Sequence, residues 1–166
     1  RDPAIVEALV ATVRQVYRGA LIVKLSLEAG DIAAVARAAE SAGADILSLI
    51  NTLKGMVIDL RSRRPYLGNL TGGLSGPAIR PVAVRAVWEV AGAVQLPLIG
   101  MGGIASAEDA LQFFLAGATA VAVGTANFVN PQIASEIKVG LQRYLDEESL
   151  PHYGELIGLA GLKGGR

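Results

Sequence analysis

The chain has 166 residues, of which 52% are hydrophobic and 18% charged, and its 15 basic residues balance 15 acidic ones. This length suffices for a buried core, so we expect residues 1–166 to form a single domain. The balanced charge argues against binding of nucleic acid or an anionic membrane surface, and the absence of cysteine excludes disulfides, thiolate metal sites and a cysteine nucleophile from these residues.

The first half of the chain shows two alternations of helix and strand. Asp2 and Pro3 have the residue types of a helix start, and Gly19 is a natural helix terminator. Asp31 predicts the N-cap of a second helix, which Gly43 ends. The predicted segments are a helix over 3–18, a strand over 20–25, a helix over 31–42 and a strand over 45–50.

The second half continues the alternation after a long connection over 53–76, whose Arg61, Arg63 and Arg64 we interpret as solvated. Pro81 indicates an irregular first turn in the next helix. Glycines then follow the apolar run that ends at Ile99. The remaining predictions are a helix over 77–91, a strand over 96–99, a helix over 106–116, a strand over 118–123, a helix over 131–145, and a tail from Pro151 with an apolar segment over 156–162 and His152 at the surface.

An uncharged segment over 110–135 is long enough to raise the question of a membrane span. Gly117, Gly124, Asn127 and Asn130 divide it into a helix end, a strand and a loop, so we predict no span. The first residues do not form a signal peptide pattern. We therefore expect a soluble, cytoplasmic protein.

Four strands, each followed by a helix, predict an α/β fold with a parallel sheet. An open doubly wound sheet and part of a (β/α)8 TIM barrel both fit, and a complete barrel needs about 250 residues. Polar or small residues follow every strand, and a site on one rim is typical of a barrel, whereas a nucleotide-binding sheet concentrates its glycines after its first strand. We predict four parallel strands alternating with helices, as the C-terminal half of a TIM barrel. The rim residues are Lys24, Asn51, Thr52, Gly102, Gly103, Gly124 and Thr125.

The glycines that follow the last two strands suit a phosphate. Gly102 and Gly103 lack a Cβ, so backbone N–H groups can approach an anion there, and Ser106 starts a helix shortly after them. Ordinary tight turns are the structural alternative. A half-barrel would expose two sheet edges, so we expect this chain to be the second half of a larger protein. The missing residues would lie on another chain, be disordered or have been removed.

Four motifs occur in order along the chain: Asn51-Thr52-Leu53-Lys54-Gly55-Met56, Thr71-Gly72-Gly73-Leu74-Ser75-Gly76-Pro77-Ala78-Ile79, Gly100-Met101-Gly102-Gly103-Ile104 and Gly124-Thr125-Ala126-Asn127-Phe128. Together they resemble the dihydroorotate dehydrogenase family, and specifically the catalytic subunit of its class 1B, NAD-dependent members. The resemblance extends from Asp2 to about Leu145. It implies a TIM barrel that carries FMN and oxidises dihydroorotate to orotate in pyrimidine biosynthesis.

The resemblance also implies roles for individual residues. Asn51 and Thr52 match residues that bind the pyrimidine, and an amide offers both donors and an acceptor to it. Electrons would pass to NAD through a partner subunit with an iron–sulfur (2Fe-2S) cluster and FAD, in a homo-oligomer or heterotetramer. The residues that match FMN contacts are Lys24, Ile50, Gly76, Gly102, Gly103, Gly124 and Thr125.

The chain departs from the family pattern in two places. Leu27 stands where the family usually has proline, which makes the loop after Lys24 less rigid. The family's catalytic base is a cysteine in the first half of the barrel, so it would lie upstream of Arg1, and we assign no catalytic residue here. No metal-ligand spacing occurs, and Glu108 and Asp109 are interpreted as first-turn acids that favour the helix dipole.

Two alternatives stay open. One is a flavin-free, phosphate-binding barrel of the sugar-phosphate isomerase type, which would keep the glycine turns but give Lys24 and Asn51 no task. The other is a half-barrel that serves only as an assembly fragment and pairs with copies of itself.

Overall fold

A computed structural model describes residues 2–161 of the chain. Helices and strands alternate as predicted, although most strands are shorter than their sequence patterns indicate. In chain order the elements are α1 (Pro3–Val16), β1 (Ile22–Lys24), α2 (Ile32–Ser41), β2 (Ile46–Leu49), β3 (Leu53–Gly55), β4 (Ile58–Asp59), β5 (Arg64–Pro65), β6 (Gly72–Leu74), α3 (Arg80–Ala91), β7 (Leu98–Met101), α4 (Ala107–Ala116), β8 (Ala120–Ala122), α5 (Ala126–Val129) and α6 (Ile133–Glu147).

Four parallel strands form the central sheet in the order β1–β2–β7–β8. Lys24 pairs with Ser48, Leu49 with Gly100 and Met101 with Ala122, so the carboxyl ends of all four strands lie at one edge. Four parallel strands alternating with helices constitute part of a TIM barrel, which confirms the predicted fold class.

Helices cover one face of this sheet and pack in sequence, α1 on α2, α2 on α3, α3 on α4 and α4 on α6. The core between them and the sheet contains the fully buried Leu47, Leu49, Leu98 and Phe113. Side chains alternate along a strand, so Ile22 and Lys24 lie on the opposite face, where Ile22 is 50% exposed. The uncovered face is the one that forms the interior of a complete barrel.

Side-chain caps mark the starts of α1, α2 and α4. The carboxylates of Asp2 and Asp31 accept hydrogen bonds from the N–H groups of Ala4 and Ala34, and the Ser106 hydroxyl accepts one from Asp109. Gly117 ends α4 with a φ of 117°. The predicted irregular turn before α3 is a 3-10 turn over Pro77–Ile79.

Several boundaries differ from the sequence predictions. The strand predicted to stop at Ile99 continues through Gly100 to Met101, because Gly100 pairs with Leu49 and Met101 pairs with Ala122. A Cβ on Gly100 would be 2.5 Å from a carbon of the Phe113 ring. Helix α1 ends at Val16 rather than close to Gly19. An additional 3-10 turn, Leu27–Ala29, follows β1, and the short helix α5 precedes α6.

The connection over 53–76 is more ordered than predicted. It contains two antiparallel ribbons, β3 with β6 and β4 with β5. Asp59 shapes the tip of the second ribbon, because its carboxylate accepts hydrogen bonds from the N–H groups of Arg61 and Ser62. These two bonds hold the pKa of Asp59 below its ordinary value.

The tail packs back onto α4. Leu156 is 1% exposed, and the N–H of Gly158 donates to the carbonyl of Phe114 at 3.0 Å. His152 is exposed, as predicted, and its Nδ1 caps the following turn by accepting from Gly154 N–H. The predicted apolar segment therefore includes a buried anchor, and its last residue, Leu162, lies outside the described residues.

Candidate functional site

A cavity of about 600 Å³ opens at the carboxyl ends of the four parallel strands. This volume falls in the range of small-molecule and cofactor sites. All nine residues singled out from the sequence line it, although they come from four strand ends and one loop. They are Lys24, Ile50, Asn51, Thr52, Gly76, Gly102, Gly103, Gly124 and Thr125.

The two glycine turns present free backbone donors to this cavity. Within residues 2–161, the N–H groups of Gly102, Gly103, Gly124 and Thr125 donate to no protein acceptor. Gly102 and Gly103 have φ values of 130° and 78°, which disfavour any residue with a Cβ. Unpaired N–H groups that point into a concave surface are suited to bind an anion.

The Gly103 turn lies against the loop of Gly76. A Cβ on Gly103 would be 2.7 Å from the Gly76 carbonyl oxygen and 2.9 Å from the Arg80 backbone nitrogen. Gly76 itself has a φ of 86°, and no heavy atom lies within 4 Å of the position that a Cβ would take there. Glycine at position 103 is therefore required by both its conformation and its neighbours.

Lys24 supplies a positive charge to the cavity. It is the last residue of β1, opposite Ser48 of β2, and its side chain is exposed. In the described part of the chain no carboxylate forms an ion pair with it. An unpaired ammonium at the end of a strand can bind an electron-rich group of a ligand.

Ile50, Asn51 and Thr52 follow β2. The Ile50 N–H donates to the Met101 carbonyl at 3.0 Å, and the Asn51 N–H donates to the Leu25 carbonyl at 3.2 Å. Ile50 is 2% exposed, whereas Asn51 and Thr52 are exposed. The backbone is thus held by neighbouring strands while the amide and hydroxyl remain free for a ligand.

Sequence reasoning missed several polar residues that line the same cavity. The Thr125 hydroxyl donates to Ser75 Oγ at 2.8 Å, which joins two loops that are 50 positions apart. Glu136 lines the cavity from the first turn of α6, and its Oε2 accepts from Asn130 Nδ2 at 2.9 Å. Ser75 could have been found as the neighbour of Gly76, but no local pattern indicates Glu136.

The two acids at the start of α4 differ in their contacts. The Ser106 hydroxyl is the main cause that lowers the pKa of exposed Glu108 below its ordinary value. Asp109 is buried and forms an ion pair with Arg80 of α3. Asp109 lies in the first turn of α4, as predicted, but its ion pair with the distant Arg80 was not predicted.

Residues 2–161 contain neither a membrane-spanning helix nor a cluster of metal ligands. No helix there is both long and apolar enough to cross a membrane. No group of three or more His, Cys, Asp or Glu side chains in that range is arranged to hold a metal ion.

Comparison with known proteins supplies a family. The protein-family model described as "Dihydroorotate dehydrogenase" matches residues 1–145. A protein of Desulforudis audaxviator named "Dihydroorotate dehydrogenase B (NAD(+)), catalytic subunit" is 58% identical over 164 residues, which are 99% of this chain and 53% of that protein.

Two further relatives carry the same name. The Pelobacter propionicus protein is 56% identical over 95% of this chain and 52% of its own length. The Desulforamulus reducens protein is 61% identical over 86% of this chain and 47% of its own length. The chain thus spans about half the length of the curated relatives it matches.

Proposed function

The chain belongs to the dihydroorotate dehydrogenase family, and we propose that it forms the part of a class 1B catalytic subunit that binds FMN and the pyrimidine. The reaction would be oxidation of dihydroorotate to orotate in pyrimidine biosynthesis. One observation carries the proposal: nine residues chosen by family motif, spread over 102 positions from Lys24 to Thr125, line a single cavity.

The residues of the cavity fit FMN. Four unpaired N–H groups of Gly102, Gly103, Gly124 and Thr125 match the acceptor oxygens of a phosphate, and Gly103 leaves no room for a side chain. The backbone of Ile50 and the loop at Gly76 would border the ring. When bound, FMN supplies the acceptor for the hydride that leaves the substrate.

Charge and hydrogen-bonding groups complete the proposed site. The Lys24 ammonium would stabilise negative charge that develops on the ring system, where a fixed cation is most effective. Asn51 would orient the pyrimidine through its amide, and the Thr52 hydroxyl would add a further hydrogen bond. Both side chains are exposed at the cavity, so neither has to break a buried contact to bind.

Proton removal has no assigned residue in this chain. Oxidation of dihydroorotate requires a base as well as a hydride acceptor, and the family's cysteine base has no counterpart because the chain contains no cysteine. We propose that the base belongs to the rest of the barrel. On this basis the chain would be inactive by itself.

The partner and location are proposals of the same kind. The relatives are named catalytic subunits of an NAD(+)-type enzyme, which supports an electron-transfer partner for this chain as well. That partner would carry FAD and a 2Fe-2S cluster and would pass electrons to NAD. The whole assembly would work in the cytoplasm.

The full-length protein, expressed from the complete reading frame, tests the proposal. We expect it to be purified with a flavin absorbance band and to release FMN on denaturation. A colourless protein that does not bind added FMN would contradict the proposal and favour a flavin-free, phosphate-binding barrel.

Lys24→Met, compared with Lys138→Met, tests the site itself. Lys138 is exposed on α6 and does not line this cavity. We expect Lys24→Met to slow flavin reduction by dihydroorotate by about 100-fold, the order of a lost charge-stabilising group, and Lys138→Met to change it less than twofold. Stopped-flow absorbance measures both rates, and equal rates would refute the role of Lys24.

A further inference from the structure

The ion pair between Arg80 and Asp109 joins the two helices that follow the cavity's glycine loops. We propose that it is a positioning pair, which holds the Gly76 loop and the Gly102–Gly103 turn at the spacing that a bound phosphate requires. The inference rests on the proposed FMN site. It assigns a role to two residues that do not line the cavity.

The pair connects the starts of two helices. Arg80 is the first residue of α3, immediately after the 3-10 turn that follows Gly76, and Asp109 is in the first turn of α4. The Arg80 Nη1 contacts Asp109 Oδ1, and the two side chains are only 29% and 10% exposed. A charge pair shielded from water in this way is screened weakly by salt.

Asp109 also forms hydrogen bonds with the segment that follows the Gly102–Gly103 turn. Its second carboxylate oxygen, Oδ2, accepts a hydrogen bond from the Ala105 N–H at 2.9 Å. Its own N–H donates to the Ser106 hydroxyl at 3.2 Å. One carboxylate therefore binds the segment that follows Gly103 and, through Arg80, the segment that follows Gly76.

Arg80 touches the glycine turn through its backbone. A Cβ on Gly103 would lie 2.9 Å from both the Cβ and the backbone nitrogen of Arg80. A shift of α3 away from α4 would open this contact and move the free N–H of Gly103 relative to the Gly76 loop. The ion pair opposes that shift.

The guanidinium has an unmet hydrogen bond. Its Nε is buried and has no partner within the described residues. Buried side-chain donors in folded proteins usually have one. Within the described residues, Asp109 is the only hydrogen-bonding partner of the guanidinium, so removal of Asp109 would leave Arg80 without a fixed partner.

The test uses the full-length protein with Arg80→Met, Arg80→Lys and the double variant Arg80→Met/Asp109→Asn. FMN affinity is measured by fluorescence titration, and amide hydrogen exchange is followed by mass spectrometry over residues 74–80 and 100–106. We expect Arg80→Met to weaken FMN binding about tenfold and to speed exchange in both segments, and Arg80→Lys, which keeps the charge contact, to restore most of both.

The double variant separates positioning from stability. Removing both charges leaves no unpaired buried charge, so thermal stability should recover, whereas FMN affinity and exchange should stay impaired. Recovery of affinity together with stability would show a purely structural pair and overturn the inference. Arg85→Met is the matched control, because Arg85 forms an exposed ion pair with Glu89 on the same helix.

The two proposals fail in different ways. If the unmodified protein binds no FMN, the proposed function is lost, but the exchange comparison between Arg80→Met and Arg85→Met still decides whether the pair holds the loops. If the unmodified protein binds FMN and Arg80→Met binds it equally well with unchanged exchange, the positioning role is refuted.

Discussion

Gly103 is a residue at which a side chain would collide with the Gly76 loop. Its φ of 78° and the 2.7 Å separation of a Cβ from the Gly76 carbonyl oxygen each oppose a side chain. Gly124 lines the same cavity but has no atom within 4 Å of the position of a Cβ, and its φ is outside the left-handed region. The two glycines therefore provide a matched pair for mutation.

We expect Gly103→Ala to lower the free energy of unfolding by about 1–3 kcal/mol, because the alanine would be strained in the left-handed region and would collide with the Gly76 and Arg80 backbone. FMN affinity should fall with it, since the displaced turn carries two of the proposed donors. Urea unfolding and flavin fluorescence measure these effects.

Gly124→Ala is the control and should change the free energy of unfolding by less than about 0.5 kcal/mol. A Gly103→Ala variant as stable as Gly124→Ala would show that the loop contact is not tight.

Residue types alone predicted many of the residues that line the cavity, but not the ion pair between the helices behind it. Glycine, lysine and asparagine at strand ends are visible as local patterns, and all of them line the cavity. The contact between Arg80 and Asp109 spans 29 positions. No sequence spacing encodes such a contact, because it depends on how α3 packs against α4.

At the scale of elements, Asp45 ties helix α1 to the start of strand β1. Its Oδ2 accepts from the Leu21 N–H at 2.8 Å and from Arg14 Nη2 at 2.5 Å. The Leu21 hydrogen bond, followed by that of Arg14, lowers the pKa of Asp45 below its ordinary value. The bonded form is the ionised one, so the link depends on pH.

We expect Asp45→Asn to destabilise the protein at pH 7 but to have less effect in acid. The pKa of Asp45 is lower in the folded protein than in the unfolded chain, where it is about 3.9. The ionised carboxylate therefore stabilises the folded protein above that unfolded pKa, and this stabilisation is lost as the pH falls through the folded pKa. The difference in unfolding free energy between the two proteins should shrink below about pH 4. Urea unfolding over a pH series measures it.

Arg14→Met supplies the comparison for this link. It removes the Arg14 hydrogen bond, the second cause of the lowered pKa, and keeps the Leu21 hydrogen bond. In the Arg14→Met protein, the effect of Asp45→Asn on the unfolding free energy should therefore still depend on pH, but less strongly. If the difference in unfolding free energy between the unmodified protein and Asp45→Asn stays constant with pH, the stabilising role of the ionised Asp45 is contradicted.

Helix starts could be predicted from the sequence where a single N-cap residue marks them. Asp2, Asp31 and Ser106 cap their helices as expected, because an N-cap depends on residues within one turn. The ribbons in the 53–76 connection were not foreseen, since each pairs strands of only two or three residues, and such short strands carry little periodicity.

For the whole molecule, the central sheet has two outer strands. Within residues 2–161, β1 pairs only with β2 and β8 only with β7. The uncovered face carries Ile22, which is half exposed. Open edges and exposed apolar side chains favour association with another chain.

We therefore expect residues 1–166, expressed by themselves, to self-associate through β1 and the uncovered face. Ile22→Lys should shift the population toward monomer, because a lysine at an edge opposes pairing. Val139→Lys, at a 60% exposed position on α6, is the control and should leave association unchanged. Light scattering coupled to size-exclusion chromatography measures the mass, and a monomer at all concentrations would contradict the prediction.

The amino-acid sequence by itself determined the type and order of the main elements, the N-caps of α1, α2 and α4, and the small or polar residues at strand ends. These features depend on backbone preference and on burial of one face, which neighbouring residues encode. The tertiary structure decided the register that brings Lys24, Leu49 and Met101 to one edge, the ion pair beneath the glycine loops, and the additional cavity residues Ser75 and Glu136. Such relations join residues far apart in the chain, and their distances are set by the packing of helices on the sheet.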